Sequence, residues 1–113
     1  MNRKCVLAVA VSLALCSSAV SAAEFFRAQK PVEGRYIVVM KPDALVPARA
    51  SNRLQALANA AENATVDLAA RHGGRVERTY RHALQGFLMQ ADERVVARML
   101  KDPRVAFIEE DGI

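Results

Sequence analysis

The spacing of apolar residues in the first half of the chain changes from strand-like to helix-like. The β-branched run "RYIVVM", residues 35–40, lies between a glycine and a proline and predicts a strand that is apolar on both faces. Residues 52–72 follow with alanines and leucines at helical spacing. Ser51 is the expected N-cap of this helix and Gly73 its expected C-terminal stop.

The second half of the chain repeats this change. Two alternating runs, residues 75–81 and 87–91, are joined by a short glycine-containing loop and predict a β-hairpin. Asp92 then caps a second predicted helix, residues 92–102, and residues 105–109 form a closing strand. With right-handed crossovers, this order predicts an α+β, ferredoxin-like βαββαβ fold, a four-stranded antiparallel sheet with both helices on one face.

The sheet face turned away from the helices is expected to be polar unless a partner covers it. Counting alternate positions puts Val38, Phe87 and Phe107 on the helix side. The same count puts five apolar residues on the other face: Ile37, Val39, Leu88, Ala106 and Ile108. An apolar face of this kind indicates a protein-binding surface. The alternative is a small sheet that simply exposes a few aliphatic side chains.

The N-terminal segment has the features of a targeting signal rather than of a folded element. In residues 1–22, Arg3 and Lys4 precede an apolar run and a set of small residues, the pattern of a secretory signal peptide. The run is shorter than the roughly 20 residues of a membrane span, so we expect a secreted or periplasmic mature protein without a membrane segment. Residues 23–34 are predicted to be a flexible leader, and residues 35–113 the domain itself.

Both cysteines, Cys5 and Cys16, lie in the segment predicted to be removed. The mature chain would then have no thiol for a disulfide, a metal or nucleophilic catalysis. A lipid anchor on Cys16 is the less favoured alternative, because Leu15 stands where a lipoprotein cleavage box requires Gly, Ala or Ser.

Charge and motifs narrow the possible functions. Two of the sixteen Lys and Arg belong to the predicted signal, which leaves fourteen bases against twelve acids and a net charge of +2. Clustered bases with stacking aromatics, the mark of nucleic-acid binding, do not occur. Neither a glycine-rich phosphate loop nor a Ser/His/Asp constellation is suggested, so we predict no catalytic residue, no metal site and no cofactor, and a monomer when free.

Three segments of the chain are distinctive: "GRYIVVMKPDA", "HGGRVERTYRHALQGFLMQ" and "KDPRVAFIEED". In order and spacing they resemble the propeptide and inhibitor family of subtilisin-like serine proteases. The resemblance implies a non-enzymatic domain that docks its open sheet face on two parallel surface helices of the protease, assists its folding and inhibits it with a C-terminal tail in the substrate cleft. It also implies that acids after the last strand cap those helices, and by position these are Glu109 and Asp111. The predicted protease-binding residues are Ile37, Val39, Leu88, Ala106, Ile108, Glu109, Asp111, Gly112 and Ile113.

The family's propeptides continue for several residues beyond the acids, and their last four residues occupy the cleft. Here only Gly112 and Ile113 follow. This leaves open a free-standing inhibitor or chaperone with a blunted tail, and a fragment of a longer protease precursor. A generic secreted or periplasmic interaction module of the same fold is a further alternative. A domain of this size without disulfides is expected to be only marginally stable alone.

Overall fold

A computed structural model describes residues 23–80 and 85–113. The predicted signal peptide and residues 81–84, which run from the end of the first predicted hairpin strand into the hairpin loop, lie outside the described residues. The fold is α+β, a five-stranded mixed sheet with helices. The strands are β1 (Glu24–Phe26), β2 (Pro31–Met40), β3 (Arg75–Tyr80), β4 (Gly86–Gln90) and β5 (Val105–Gly112). The helices are α1 (Pro42–Leu45), α2 (Arg53–His72) and α3 (Glu93–Met99).

The strand order across the sheet is β1-β5-β2-β4-β3. Neighbouring strands from β5 to β3 are antiparallel, whereas β1 runs parallel to β5 at the edge. The prediction of four antiparallel strands is therefore wrong by one strand. Because β1 is only three residues long, it carries too little alternation to be recognised from the sequence. It lies inside the segment predicted to be a flexible leader, and the domain boundary at residue 35 stays a prediction.

The long helix α2 ends as predicted and begins differently. Gly73 takes the left-handed conformation at its C-terminus, with φ of 98°, and its backbone N–H donates to the carbonyl of Ala69. The N-cap is Asn52, also left-handed with φ of 50° and without a side-chain capping bond, so the prediction of Ser51 is wrong. Between β2 and this helix lies the single helical turn α1.

Helix α3 begins as the sequence predicts. The Asp92 carboxylate accepts hydrogen bonds from the backbone N–H groups of Arg94 and Val95, at 2.9 and 3.1 Å. These two donors would otherwise lack partners in the first turn. The stripe of Val95, Val96 and Met99 is buried against the sheet.

The core lies between the two longer helices and one face of the sheet. Its fully buried side chains include Phe87, Met89, Val38, Leu68, Met99 and Ile108. Since residues of α2 and of α3 share one cluster with strand residues, both helices cover the same face, which confirms that prediction. In the described part of the chain, residues 23–80 and 85–113, none of the helices is long and apolar enough to cross a membrane.

A charge cluster fastens the end of α2 to the loop before β5. The Asp102 side chain is 8% exposed and accepts hydrogen bonds from Arg104 Nε and Nη2, both at 3.0 Å, while His72 Nε2 lies 3.2 Å away. Arg104 also pairs with Asp67, with 2.9 Å between Nη1 and Oδ2. The hydrogen bonds from Arg104 hold the pKa of Asp102 far below its ordinary value, although burial acts in the opposite direction.

Candidate functional site

Strand register identifies the side chains on the sheet face turned away from the helices, which we term the open face. One row across this face contains Phe107, Val39, Gly86 and Tyr80. The next contains Phe26, Glu109, Ile37, Leu88 and Arg78. A third contains Arg35, Gln90 and Arg75. The open face therefore has an apolar centre, acids on the β5 side and bases on the β3 side.

The register corrects the predicted faces of β5. Ile108 pairs with Val38 and is fully buried in the helix-side core, whereas Phe107 pairs with Val39 on the open face and is half-buried. The assignment of Ile108 to the open face, and of Phe107 to the helix side, is wrong. Each position of "VAFI" is apolar, so the pattern itself does not determine which residues face the helices. An offset of one residue in the register moves every side chain of the strand to the other face of the sheet.

Ala106 has a different place from the one predicted. Met40 pairs with Val105 while Val39 pairs with Phe107, so Ala106 is the extra residue of a β-bulge. The bulge lets Val105, which is 1% exposed, also face the core. Ala106 is half-buried at this irregularity and has no direct partner on β2.

The apolar centre of the open face is more closed than its sequence suggests. Val39 is 9% exposed and Leu88 only 6%. Leu88 lies between Ile37 and Arg78 on adjacent strands, and Val39 lies between Phe107 and Gly86. Cross-strand neighbours on both sides of an inner strand cover much of a side chain. The more accessible apolar groups on this face are half-buried Ile37 and Phe107 and the exposed Phe26.

The three consecutive acids near the end of β5 have different environments. Glu110 accepts a hydrogen bond from the backbone N–H of Ala28 at 2.8 Å and lies 3.6 Å from Arg27. Asp111 forms an ion pair with Arg35, with 3.3 Å between Oδ2 and Nε. Glu109 has neither an ion pair nor a side-chain hydrogen bond among the described residues, and it lies on the open face beside Ile37. Of these three carboxylates, Glu109 is therefore the one without a partner in the described part of the chain, residues 23–80 and 85–113.

Arg35 lies between acids from two different strands. Its Nη2 is 3.3 Å from Glu77 Oε1, and its Nε is 3.3 Å from Asp111 Oδ2. The Nε contact is close enough for an ion pair, yet its geometry gives no hydrogen bond, and this Nε is buried. A buried donor without an acceptor is costly, so the pairing of Asp111 with Arg35 is an imperfect one.

Strand β5 ends against the segment that precedes β2. Gly112 pairs with Pro31, and the backbone N–H of Ile113 donates to the carbonyl of Lys30 at 3.1 Å. A Cβ atom at Gly112 would lie 2.9 Å from the Cβ of Ala28, so only glycine fits this close approach. The Ile113 side chain is 96% exposed. The predicted binding role of these two residues stays a prediction.

The structure adds residues to this surface that the sequence did not single out. Phe26 and Phe107 contact each other edge to face, with ring centroids 5.5 Å apart, and Arg75 and Arg78 are exposed on the far strand. The dipeptide "FF" at residues 25–26 was the available signal, because adjacent aromatics on a strand point to opposite faces. The accessible aromatic rings therefore lie on the β5 side of the open face, and the two arginines lie on the β3 side.

Residues 35–113 match the family model described as Peptidase inhibitor I9. The chain belongs to this family of subtilisin propeptide inhibitors. The matched region contains β2 from residue 35 onward, β3 to β5 and all three helices, and it leaves β1 and the first four residues of β2 outside. The predicted resemblance is confirmed.

A curated relative supports the same family. Over 95 residues the chain is 37% identical to an extracellular serine proteinase of Thermus sp. (strain Rt41A). The alignment covers 74% of this chain and 22% of the relative, so this I9 chain corresponds to about a fifth of that proteinase. Together, the two matches establish a subtilisin propeptide-like domain.

Proposed function

We propose that this I9 domain is a secreted or periplasmic inhibitor, folding chaperone, or both, of a subtilisin-like serine protease. The proposed docking surface is the open face together with the acids at the end of β5. Its antiparallel part, β5-β2-β4-β3 with two helices on one face, fits the predicted ferredoxin-like arrangement. The relative that is similar to this chain is an extracellular proteinase, which supports an exported location.

The observation that carries the proposal is the position of Glu109. Its carboxylate has no partner among the described residues and lies in one row with Ile37 and Leu88, next to accessible Phe26. A helix N-terminus offers unpaired backbone N–H groups and partial positive charge. An apolar strip beside an unpaired carboxylate is thus complementary to a protein surface on which a helix begins.

The two acids proposed to cap protease helices are unequal. Glu109 can accept N–H groups at once, whereas Asp111 must give up or share its contact with Arg35. Carboxylate contacts with a helix N-terminus contribute about 0.3 to 1 kcal/mol, and up to about 2 when partly buried. We therefore assign the larger capping contribution to Glu109 and expect Arg35 to reduce that of Asp111.

The test is the hydrolysis of a chromogenic peptide by a subtilisin-like protease, titrated with residues 23–113. We expect inhibition, and a roughly fivefold to tenfold larger inhibition constant for Glu109→Gln, from the loss of about 1 kcal/mol. Asp111→Asn should have the smaller effect. Glu93→Gln, which removes a carboxylate from the helix side of the sheet, is the matched control and should leave inhibition unchanged. No inhibition by the unaltered chain would overturn the inhibitor proposal.

We also propose that sheet docking supplies most of the affinity of residues 23–113 for the protease. Since four more residues could enter the cleft as a product does, a four-residue extension after Ile113 should tighten inhibition. An unchanged inhibition constant would contradict this division of the affinity.

The coverage of the proteinase relative favours a second candidate, in which the domain acts within a longer protease precursor. Mass analysis of the exported protein from its natural source would separate the two. A product of the size of residues 23–113 supports action on a separate protease, and a much larger first product supports the precursor.

A further inference from the structure

Residues 23–30, which we term the N-terminal strap, run along the outer edge of β5. They lie outside the region that matches the I9 family model, residues 35–113. Within the strap, β1 pairs in parallel with β5 at Phe107, Ile108 and Glu109. The strap therefore covers the free edge of the strand that carries the acids.

Backbone groups of the strap continue to contact the acidic end of β5 beyond β1. After β1, the Ala28 N–H donates to the Glu110 carboxylate at 2.8 Å. Two residues later, the Lys30 carbonyl accepts from the N–H of Ile113 at 3.1 Å. An edge strand without such contacts has unpaired backbone groups and frays easily.

Side chains hold the strap to the rest of the domain from both faces. Phe25 packs against the helix-side core, with its ring centroid 6.3 Å from that of Tyr36. Phe26 contacts Phe107 on the open face, with 5.5 Å between centroids. The N–H of Ala23 donates to the carbonyl of Leu100, at the end of α3, at 3.2 Å. The strap is thus fixed independently of the acids.

We infer that the N-terminal strap is a positioning element for the acidic end of β5, and through it for protease inhibition. Glu110 is the link, because its carboxylate is held toward the strap. In an extended strand this orientation turns Glu109 and Asp111 to the opposite, open face. The strap also sets the direction in which the chain passes Gly112 toward the protease cleft. This inference rests on the proposed function and deepens it.

The experiment alters Glu110 in residues 23–113. Glu110→Ala removes the acceptor for the Ala28 N–H, whereas Glu110→Gln keeps an oxygen that can accept it and serves as the conservative rescue. We expect the inhibition constant to rise roughly fivefold to tenfold for Glu110→Ala and less than about twofold for Glu110→Gln. Only the alanine variant loses the side-chain oxygen that accepts the Ala28 N–H. Arg27→Ala, which removes an ion pair whose arginine side chain is 78% exposed, should also stay within about twofold.

Two further measurements separate positioning from general destabilisation. Amide hydrogen exchange of the free domain should be faster for residues 109–113 in Glu110→Ala, and unchanged in Glu110→Gln. Val46→Ala, at a buried residue outside the main core cluster, should lower the melting temperature without changing inhibition or exchange at residues 109–113. If Val46→Ala weakens inhibition as much as Glu110→Ala, destabilisation explains the effect and the positioning role is overturned.

The remaining outcomes are also distinct. Inhibition by the unaltered chain with equal constants for Glu110→Ala and Glu110→Gln would overturn the inference and keep the proposed function. No inhibition by the unaltered chain would overturn the proposed function and the strap's role in it, while exchange would still report whether the strap orders residues 109–113. Removal of residues 23–29 should reproduce the Glu110→Ala result in exchange and inhibition if the shortened domain melts cooperatively.

Discussion

The two faces of the sheet place neighbouring residues in very different environments. On the helix side, Ile108 and Phe87 are fully buried in a continuous apolar core. On the open face, the adjacent Phe107 is half-buried and shares its surface with charged side chains. The first face resembles the interior of any small domain. The second combines apolar area with bases and with acids that differ in their internal partners.

Under the proposed function, this difference separates stability from recognition along a single strand. Val105 and Ile108 face the helices and contribute apolar burial, whereas Phe107 and Glu109 face the open side and contribute an aromatic ring and a carboxylate. Because alternate residues serve the two purposes, each can change without removing the other. Substitutions at adjacent positions of β5 therefore test the assignment of faces directly.

The largest predicted effect is at Ile108. Ile108→Ala should lower the free energy of unfolding by about 2 to 5 kcal/mol, because it leaves a cavity in a fully buried site. Phe107→Ala should cost only about 1 to 2 kcal/mol, since the ring is half-buried. Urea unfolding followed by circular dichroism measures both. For a domain of this size, the first change is large enough to unfold much of the protein.

The opposite order of the two losses in unfolding free energy would contradict this division of β5 into two faces. If Phe107→Ala destabilised the domain more than Ile108→Ala, the register of β5 against β2 would be offset by one residue. For variants that remain folded, inhibition should show the reverse order, with the larger loss from Phe107→Ala.

The sequence predicted the fold well where apolar spacing extends over many residues. The stop of helix α2 at Gly73 and the cap of helix α3 at Asp92 follow from local sequence signals, whereas the N-cap of α2 is Asn52 and not the predicted Ser51. Strand β1 was missed because three residues give no period. The faces of β5 were exchanged because a run of four apolar residues is compatible with either register, and the partner strand decides between them.

The candidate site was predictable in its residue types and not in its pairings. "EED" marks three carboxylates, but only the folded chain brings Arg35 to Asp111 and the Ala28 N–H to Glu110. These contacts join residues more than 70 positions apart in the sequence. Local patterns contain no information on such pairings, so the distinct position of Glu109 became evident only in three dimensions.

An intermediate effect is expected from the helix-side charge cluster. Asp102→Asn should lower the free energy of unfolding at pH 7 by about 2 kcal/mol, through weaker hydrogen bonds with Arg104. The folded-state pKa of Asp102 lies far below its ordinary value of 3.8. The contribution of Asp102 to the free energy of unfolding is therefore complete at pH values above its pKa in the unfolded chain. It is lost as the pH falls toward its pKa in the folded domain.

The pH profile gives the sharper test of this pair. The difference in unfolding free energy between the unaltered domain and Asp102→Asn should shrink from about pH 5 to about pH 2. Asp67 and His72 contact the same pair and stay unchanged in both proteins. A difference that grows as the solution is acidified would show that Asp102 is not stabilised as a carboxylate. Inhibition measured at pH 7 should not change, because the cluster lies on the helix side.

The smallest predicted effect concerns the irregular stretch of β2 that brings Arg35 opposite Asp111. Gly34 has φ of 77°, and a Cβ there would meet only the Ala91 carbonyl oxygen at an ordinary 3.7 Å. Backbone conformation, not space, should thus limit substitution. We expect Gly34→Ala to cost about 1 kcal/mol in unfolding free energy and Gly34→Asn less, because asparagine tolerates the left-handed region better. Equal costs for the two variants would mean that crowding sets the penalty. A stabilising Gly34→Ala would show that this residue is not left-handed in solution, and the position of Arg35 on the open face would then have to be revised.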